Sequence, residues 1–183
     1  VYNSGLDGYP DCGGLISYNY ISGEWLTGLS EGRPLFVRSA NDKFNLANFI
    51  RTHLYASVGV LKLGNDILFN DEKVRVDRIT GHGGLFKTKG VGQRILAAAI
   101  NSPISVMETA GEGGAWGIAL LASYLVNNTN KQSLADYLDE VVFAGDAGVE
   151  IKPTKEDVAG FNKYIENYKA CLAIEEAAVK AKN

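Results

Sequence analysis

Residues 74–124 read VRVDRITGHGGLFKTKGVGQRILAAAI and then NSPISVMETAGEGGAWGIALLASY, and this stretch decides the fold. Nine of the chain's 21 glycines fall between Gly81 and Gly117, in two clusters. Each cluster stands between a short β-branched run and an apolar-periodic run. The first run, Val74–Ile79, alternates apolar and charged residues and predicts a strand. A turn at Thr80–Gly84 follows, then a helix from Thr88 or Val91 through Ile100. Asn101-Ser102-Pro103 ends that helix, because the residue before proline avoids helical geometry. Ile104–Met107 predicts the second strand, Glu108–Gly114 the second loop, and Ala115–Val126 a helix burying Ile118, Leu121, Ala122 and Leu125. Two successive strand–loop–helix units open both loops at one sheet edge. Free N–H groups at helix N-termini make such an edge a site for anions, phosphate above all.

Upstream, the first forty residues are broken by glycine and proline and allow only loops and short strands, at Leu15–Ile21 and Leu35–Arg38. Ser39–Asp42 offers N-cap residues to a long helix. Its predicted apolar face is Leu46, Phe49, Ile50, His53, Leu54, Val58 and Leu61, with Ile67–Phe69 extending it. His53 on that face reads as a hydrogen-bonded core or boundary residue. Downstream, Asn127–Asn130 is a polar turn, Ser133–Asp136 starts a short helix, and Ala144–Pro153 is a loop or brief extended piece. Thr154–Asp157 signals a helix start, Asp157 standing in for the Glu or Gln of a capping box. The final helix carries Val158, Phe161, Ile165, Tyr168 and Leu172 on one face. After Ala173 large apolar residues thin out, and the tail is expected to fray.

The 183 residues fit one domain: loops and short strands over 1–40, a helix–strand core over 41–173, and a frayed helical tail over 174–183. Eighteen basic against 21 acidic residues give a net charge of −3, so nothing points to nucleic acid or an anionic membrane as partner. No apolar run reaches the length of a membrane helix, and a cytoplasmic protein is expected. With two histidines, a histidine-rich metal site is excluded. Cys12 and Cys171 lack metal-ligand spacing and read as free thiols. The chain starts at Val1 without an initiator methionine or a signal-peptide pattern, which reads as a fragment or processed piece.

Two phosphate motifs fail directly. A P-loop needs glycine before its Lys-Ser/Thr pair, but Phe86 precedes Lys87-Thr88. The dinucleotide fingerprint would need glycine at Phe86 or at Trp116. From the residues alone, the clusters serve either tight turns and close packing or a ligand that approaches the backbone.

Ile79–Tyr124 resembles the C-terminal domain of the FGGY carbohydrate kinases, the group of xylulose kinases, ribulokinases and glycerol kinases. Gly83-Gly84, Thr88 and Gln93 stand in the family's order, followed by Ala97–Ala99, Pro103 and the run Gly117–Ala122. Leu85 replaces a third glycine, Ala97 an acidic residue, and Val91 an aromatic one. The wording is closest to the pentulose kinases. Asn41–Ala173 follows the family's helix and strand order.

The resemblance implies an α/β fold: part of an actin-like, ribonuclease H-like ATPase domain, with a mixed sheet, flanking helices and a long C-terminal helix. It implies ATP and Mg²⁺, the metal held largely by a portion outside this chain, and γ-phosphoryl transfer to ribulose or xylulose. In the family the base and the sugar contacts belong to the N-terminal domain, so no catalytic residue and no metal ligand is assigned here. The family's second phosphate hairpin has no clear counterpart in Val1–Ala40. Gly81, Gly83 and Gly84 would shape the loop at ribose and α-phosphate, and Gly111, Gly113, Gly114 and Gly117 the wall near adenine. Lys87 would neutralise phosphate or stay solvated. Thr88 would cap the next helix or bond nucleotide. Gln93 would orient nucleotide or tie the helix to the loop. Trp116 reads as packing, and neither Glu108 nor Glu112 as a base. The resemblance leaves a homodimer open and implies neither nucleic acid nor membrane. The competing reading is a non-catalytic nucleotide-binding or interaction module on an actin-like half-fold.

Overall fold

The computed structural model describes residues 1–128, 131–144 and 148–181. Parts of the expected turn at Asn127–Asn130, of the Ala144–Pro153 loop and of the tail therefore lie outside the described residues. Strands β1 (Ile16–Tyr18) and β2 (Leu35–Val37) form an antiparallel pair, Ile16 opposite Val37. β3 (Ile79–Thr80), β4 (Ile104–Val106) and β5 (Val149–Ile151) form a mixed sheet in that order. β3 runs parallel to β4, with Ile79 opposite Ile104, and β5 runs antiparallel to it. Of the expected strand at Val74–Ile79, only Ile79 has a partner on β4. Residues 74–78 are exposed coil, and no strand among the described residues pairs with them.

The helices are α1 (Leu46–Asp66), α2 (Val91–Ile100), α3 (Gly113–Asn127), α4 (Leu134–Tyr137), α5 (Lys155–Ala170) and α6 (Leu172–Ala181). α2 packs on β4 and is flanked by α1 and α5. Asn101, left-handed at φ 49°, ends α2 just before Pro103, a conformation that Asn tolerates better than most residues.

α1 is capped by Asn45, whose side chain accepts from the Asn48 N–H, rather than by Ser39–Asp42. Its buried face is also rotated from the expected one. Leu54 and Val58 are buried, but so are Asn48, Arg51, Thr52 and Tyr55, whereas Leu46 is 69% and Leu61 47% exposed. Polar residues occupy this face because each finds a partner there. The Arg51 guanidinium donates to Asp157 Oδ1 at 2.6 Å, to Tyr55 Oη, and to the Gly8 carbonyl at 3.1 Å. His53 lies at the boundary, bonded to Ser17 Oγ through Nδ1 at 3.1 Å and packed edge-on against Phe49. Partial burial lowers its pKa, as suits a neutral structural imidazole.

Asp157, in the first turn of α5, joins three helices. Its carboxylate also accepts from Arg94 Nε of α2 at 2.8 Å and from the capping residue Thr154 at 2.9 Å. Burial works to raise this carboxyl, yet the hydrogen bonds from Arg94, Thr154 and Arg51 outweigh it and hold the pKa below the usual carboxylate value. Farther along α5, Phe161, Tyr164, Ile165 and Tyr168 fill the core against Tyr55, Tyr18 and Cys12. Burial pushes the Cys12 thiol up to about 12, and both cysteines are free.

Two further expectations fail. The tail does not fray at Ala173: α6 continues to Ala181, and Glu175 is fully buried, accepting the Arg33 backbone N–H. One polar anchor replaces the apolar residues that the sequence lacks there. α3, in contrast, buries no residue. Ile118 is 70%, Leu121 45% and Leu125 82% exposed, and Ala122 is exposed too, because no element among the described residues packs over that stripe.

Candidate functional site

The first loop begins where β3 ends. The Gly81 N–H donates to the Ser105 carbonyl at 2.8 Å and extends the ladder by one bond. A Cβ on Gly81 would lie 2.4 Å from the Phe86 ring, so glycine is what lets that ring fold back over the strand end. Gly83 has φ 100°, a conformation that L side chains rarely adopt, and its N–H donates to the Ala110 carbonyl at 2.8 Å. That bond ties the first loop to the second. The two loops open at one edge of the sheet, as the repeated strand–loop–helix pattern requires. Residues Gly84–Lys87 then form a single 3-10 turn leading to α2, and Glu108–Glu112 form its counterpart leading to α3.

Between the two turns lies a cavity of about 420 Å³, within the ~300–1,000 Å³ typical of small-molecule sites. Phe86, Val106, Met107 and Val149 supply its apolar lining. Lys87, Lys89, Glu108 and Glu112, all exposed, supply its charge. Lys87 Nζ reaches Glu112 Oε1 at 2.7 Å, linking one loop to the other. The hydrogen bond and charge of Lys87 hold the Glu112 carboxyl below its ordinary pKa. The cavity thus joins an apolar wall to a rim that carries both signs of charge.

Of the residues singled out in the sequence, the cavity brings together Lys87, Gln93 and Gly111. Gly111 packs on the Lys87 stem, where an added Cβ would lie 3.1 Å from Cγ. Gly113 stands beside His82 of the first loop. Gly84, Gly114 and Gly117 line no part of this cavity, and a Cβ on any of them would meet open space. Gly84 instead borders a second cavity of about 400 Å³, together with Leu85, Ile50 and Leu54. Gln93 is only 5% exposed; its Nε2 donates to the carbonyls of Ile104 at 3.1 Å and Val149 at 2.7 Å. It ties α2 to two strands rather than to the loop. Thr88 does not cap α2 with its side chain. The N-cap is Gly90, and Thr88 contributes its carbonyl to the Val91 N–H at 3.2 Å. Trp116 is 39% exposed on α3.

Sequence reasoning overlooked Phe86, Lys89, Met107 and Val149. Phe86 and Met107 carry a legible signal, being the large apolar residues next to a glycine turn and at a strand end. Val149 carries none, since only the pairing of β5 with β4 brings it to the site.

Among the described residues, no group of three or more His, Cys, Asp or Glu side chains is placed to hold a metal ion. No helix among them is long and apolar enough to cross a membrane.

The family model described as FGGY family of carbohydrate kinases, C-terminal domain, matches residues 5–126. The match takes in nearly all of the first forty residues, upstream of the order traced from Asn41. No curated protein sequence matches the chain. Among solved structures, the chain is similar to gluconate kinase from Lactobacillus acidophilus, with a TM-score of 0.73 at 19% identity over 98% of this chain and 35% of that one. It is similar to the ligand-bound xylulose kinase from the same organism, with a TM-score of 0.70 at 19% identity over 96% and 35% of the two chains. Plasmodium falciparum glycerol kinase with ADP gives a TM-score of 0.66 at 19% identity over 95% and 33%. The chain spans about a third of the length of these kinases.

Proposed function

Because the chain belongs to the FGGY family of carbohydrate kinases and carries that family's C-terminal domain, we propose that it forms the nucleotide side of an ATP-dependent kinase acting on a pentulose, ribulose or xylulose. The observation that carries this reading is the joining of the two glycine loops around one cavity, with apolar and charged walls. All 183 residues are taken as one unit of that domain.

Phe86 and Met107 would receive the base, and Gly111 would let it approach the second loop. Gly81, Gly83 and Gly84 would shape the first loop against ribose and α-phosphate, with Thr88 at its end. Lys87 and Lys89 would meet phosphate charge. Gly113, Gly114 and Gly117 would form the neighbouring wall, where Gly114 and Gly117 leave space for a ligand edge. Gln93 would hold the wall itself in place through β4 and β5. ATP supplies the γ-phosphoryl, and positioning and charge neutralisation account for most of the rate in such transfers. As the family resemblance implies, Mg²⁺ would be held by the phosphates and largely by residues outside this chain. The base and the sugar contacts would likewise come from the other domain.

The full-length protein bearing this chain should consume ATP when given ribulose or xylulose, measured by coupled release of ADP. Inertness across pentuloses, hexuloses, gluconate and glycerol would overturn the kinase reading, and turnover with gluconate or glycerol alone would correct the substrate.

A further inference from the structure

The two basic side chains of the cavity are not equivalent. Lys89 makes no ion pair among the described residues. The Lys87 ammonium is spoken for, held at 2.7 Å by Glu112 of the opposite loop. Neither member of that pair is needed to join the loops, since the backbone bond from Gly83 N–H to the Ala110 carbonyl already does so. The side chains are 56% and 75% exposed, so the pair adds little to stability and can open at small cost. Glu112 also stands at the N-terminus of α3, where the aligned peptide dipoles favour an anion. A carboxylate therefore occupies the position that suits a phosphate: beside an ammonium and at the start of a fifteen-residue helix.

We propose that Glu112 is an internal competitor for the ligand's phosphate, holding Lys87 across the two loops until a nucleotide phosphate takes the carboxylate's place. The inference rests on the nucleotide reading of this cavity and adds a positioning residue to it. In the free state Lys87 and Glu112 neutralise each other over the cavity. With a nucleoside diphosphate bound, Lys87 turns to the phosphate and Glu112 swings into water. Glu112 thereby penalises every phosphate-bearing ligand and leaves an uncharged nucleoside unaffected.

Calorimetric titration of ADP and of adenosine into the full-length protein separates these ligands. Glu112→Gln should tighten ADP about two- to fivefold, the range expected when one exposed charge pair is relieved, and leave adenosine unchanged. Glu112→Asp, which keeps the charge, should restore most of the wild-type ADP affinity. In a Lys87→Met background, Glu112→Gln should no longer alter ADP affinity by that amount, because the cycle removes the coupling. An ADP affinity unchanged or weakened by Glu112→Gln, or an equal change for adenosine, would overturn the proposal while leaving the nucleotide site intact. Failure of the wild-type protein to bind either ligand would overturn the nucleotide reading itself, and this inference with it.

Discussion

Helices α3 and α5 make opposite use of their side chains. α3 has no charged residue from Gly113 to Asn127 and buries nothing. α5 is studded with Lys155, Glu156, Asp157, Lys163, Glu166 and Lys169, yet it buries Asp157, Gly160, Phe161, Tyr164, Ile165 and Tyr168. The difference lies in what surrounds each helix. α5 meets α2 along its side and β1 below, while α3 touches chiefly the turn that precedes it. Apolarity thus sets what a helix tolerates, and neighbours decide whether it is covered. A helix apolar all round is of the kind that sits inside a larger assembly.

The largest effect expected from this contrast is at Asp157. Asp157→Ala leaves the Arg51 guanidinium, 1% exposed, without its counter-charge and should cost about 3–5 kcal/mol in urea unfolding at pH 7. Because the folded pKa of Asp157 is depressed, its contribution is complete above the unfolded carboxyl value of ~3.9 and disappears as pH falls through the folded value. Wild type and Asp157→Asn should therefore differ strongly at pH 7 and converge in strong acid. A difference that stays constant with pH would remove the charge from the account. Next in size is Gly160→Ala. Its Cβ would fall 2.3 Å from the Pro10 backbone, so about 1–3 kcal/mol should be lost by overpacking, read from the same unfolding curves. The smallest effect belongs to α3: Leu125→Ala in this chain should alter stability by no more than ~0.5 kcal/mol. A loss above ~2 kcal/mol would mean that Leu125 is packed after all, and the contrast would break.

These same elements mark what a sequence makes legible. The glycine clusters, Pro103 and the Thr154 cap act locally, through backbone conformation and hydrogen bonds a few residues away. The two strand–loop–helix units and the start of α5 accordingly stood out, and the shared edge followed from their repetition. The ion cluster of Arg51, Arg94 and Asp157 spans 106 positions of sequence, and no local pattern announces it. Its polar members rotated the buried face of α1 away from the apolar stripe. Glu175 escaped notice for the same reason, its partner being the backbone of Arg33. The site divides likewise. Gly111 and Lys87 came from the loops themselves, Val149 only from the pairing of β5, and the Thr88 cap was lost to Gly90 two residues later.

The central claim is that the edge formed by the two glycine loops receives the nucleotide. Gly111 tests it most directly, because it lines the cavity between the loops, its φ is not positive, and an added Cβ meets first the exposed Lys87 stem. A substitution there narrows the cavity at the cost of moving a flexible side chain. Steady-state kinetics of Gly111→Val in the full-length protein should show the KM for ATP rising about tenfold or more, at ~1.4 kcal/mol per decade, with the KM for the sugar unchanged. An unaltered KM for ATP, or a rise confined to the sugar, would contradict the assignment.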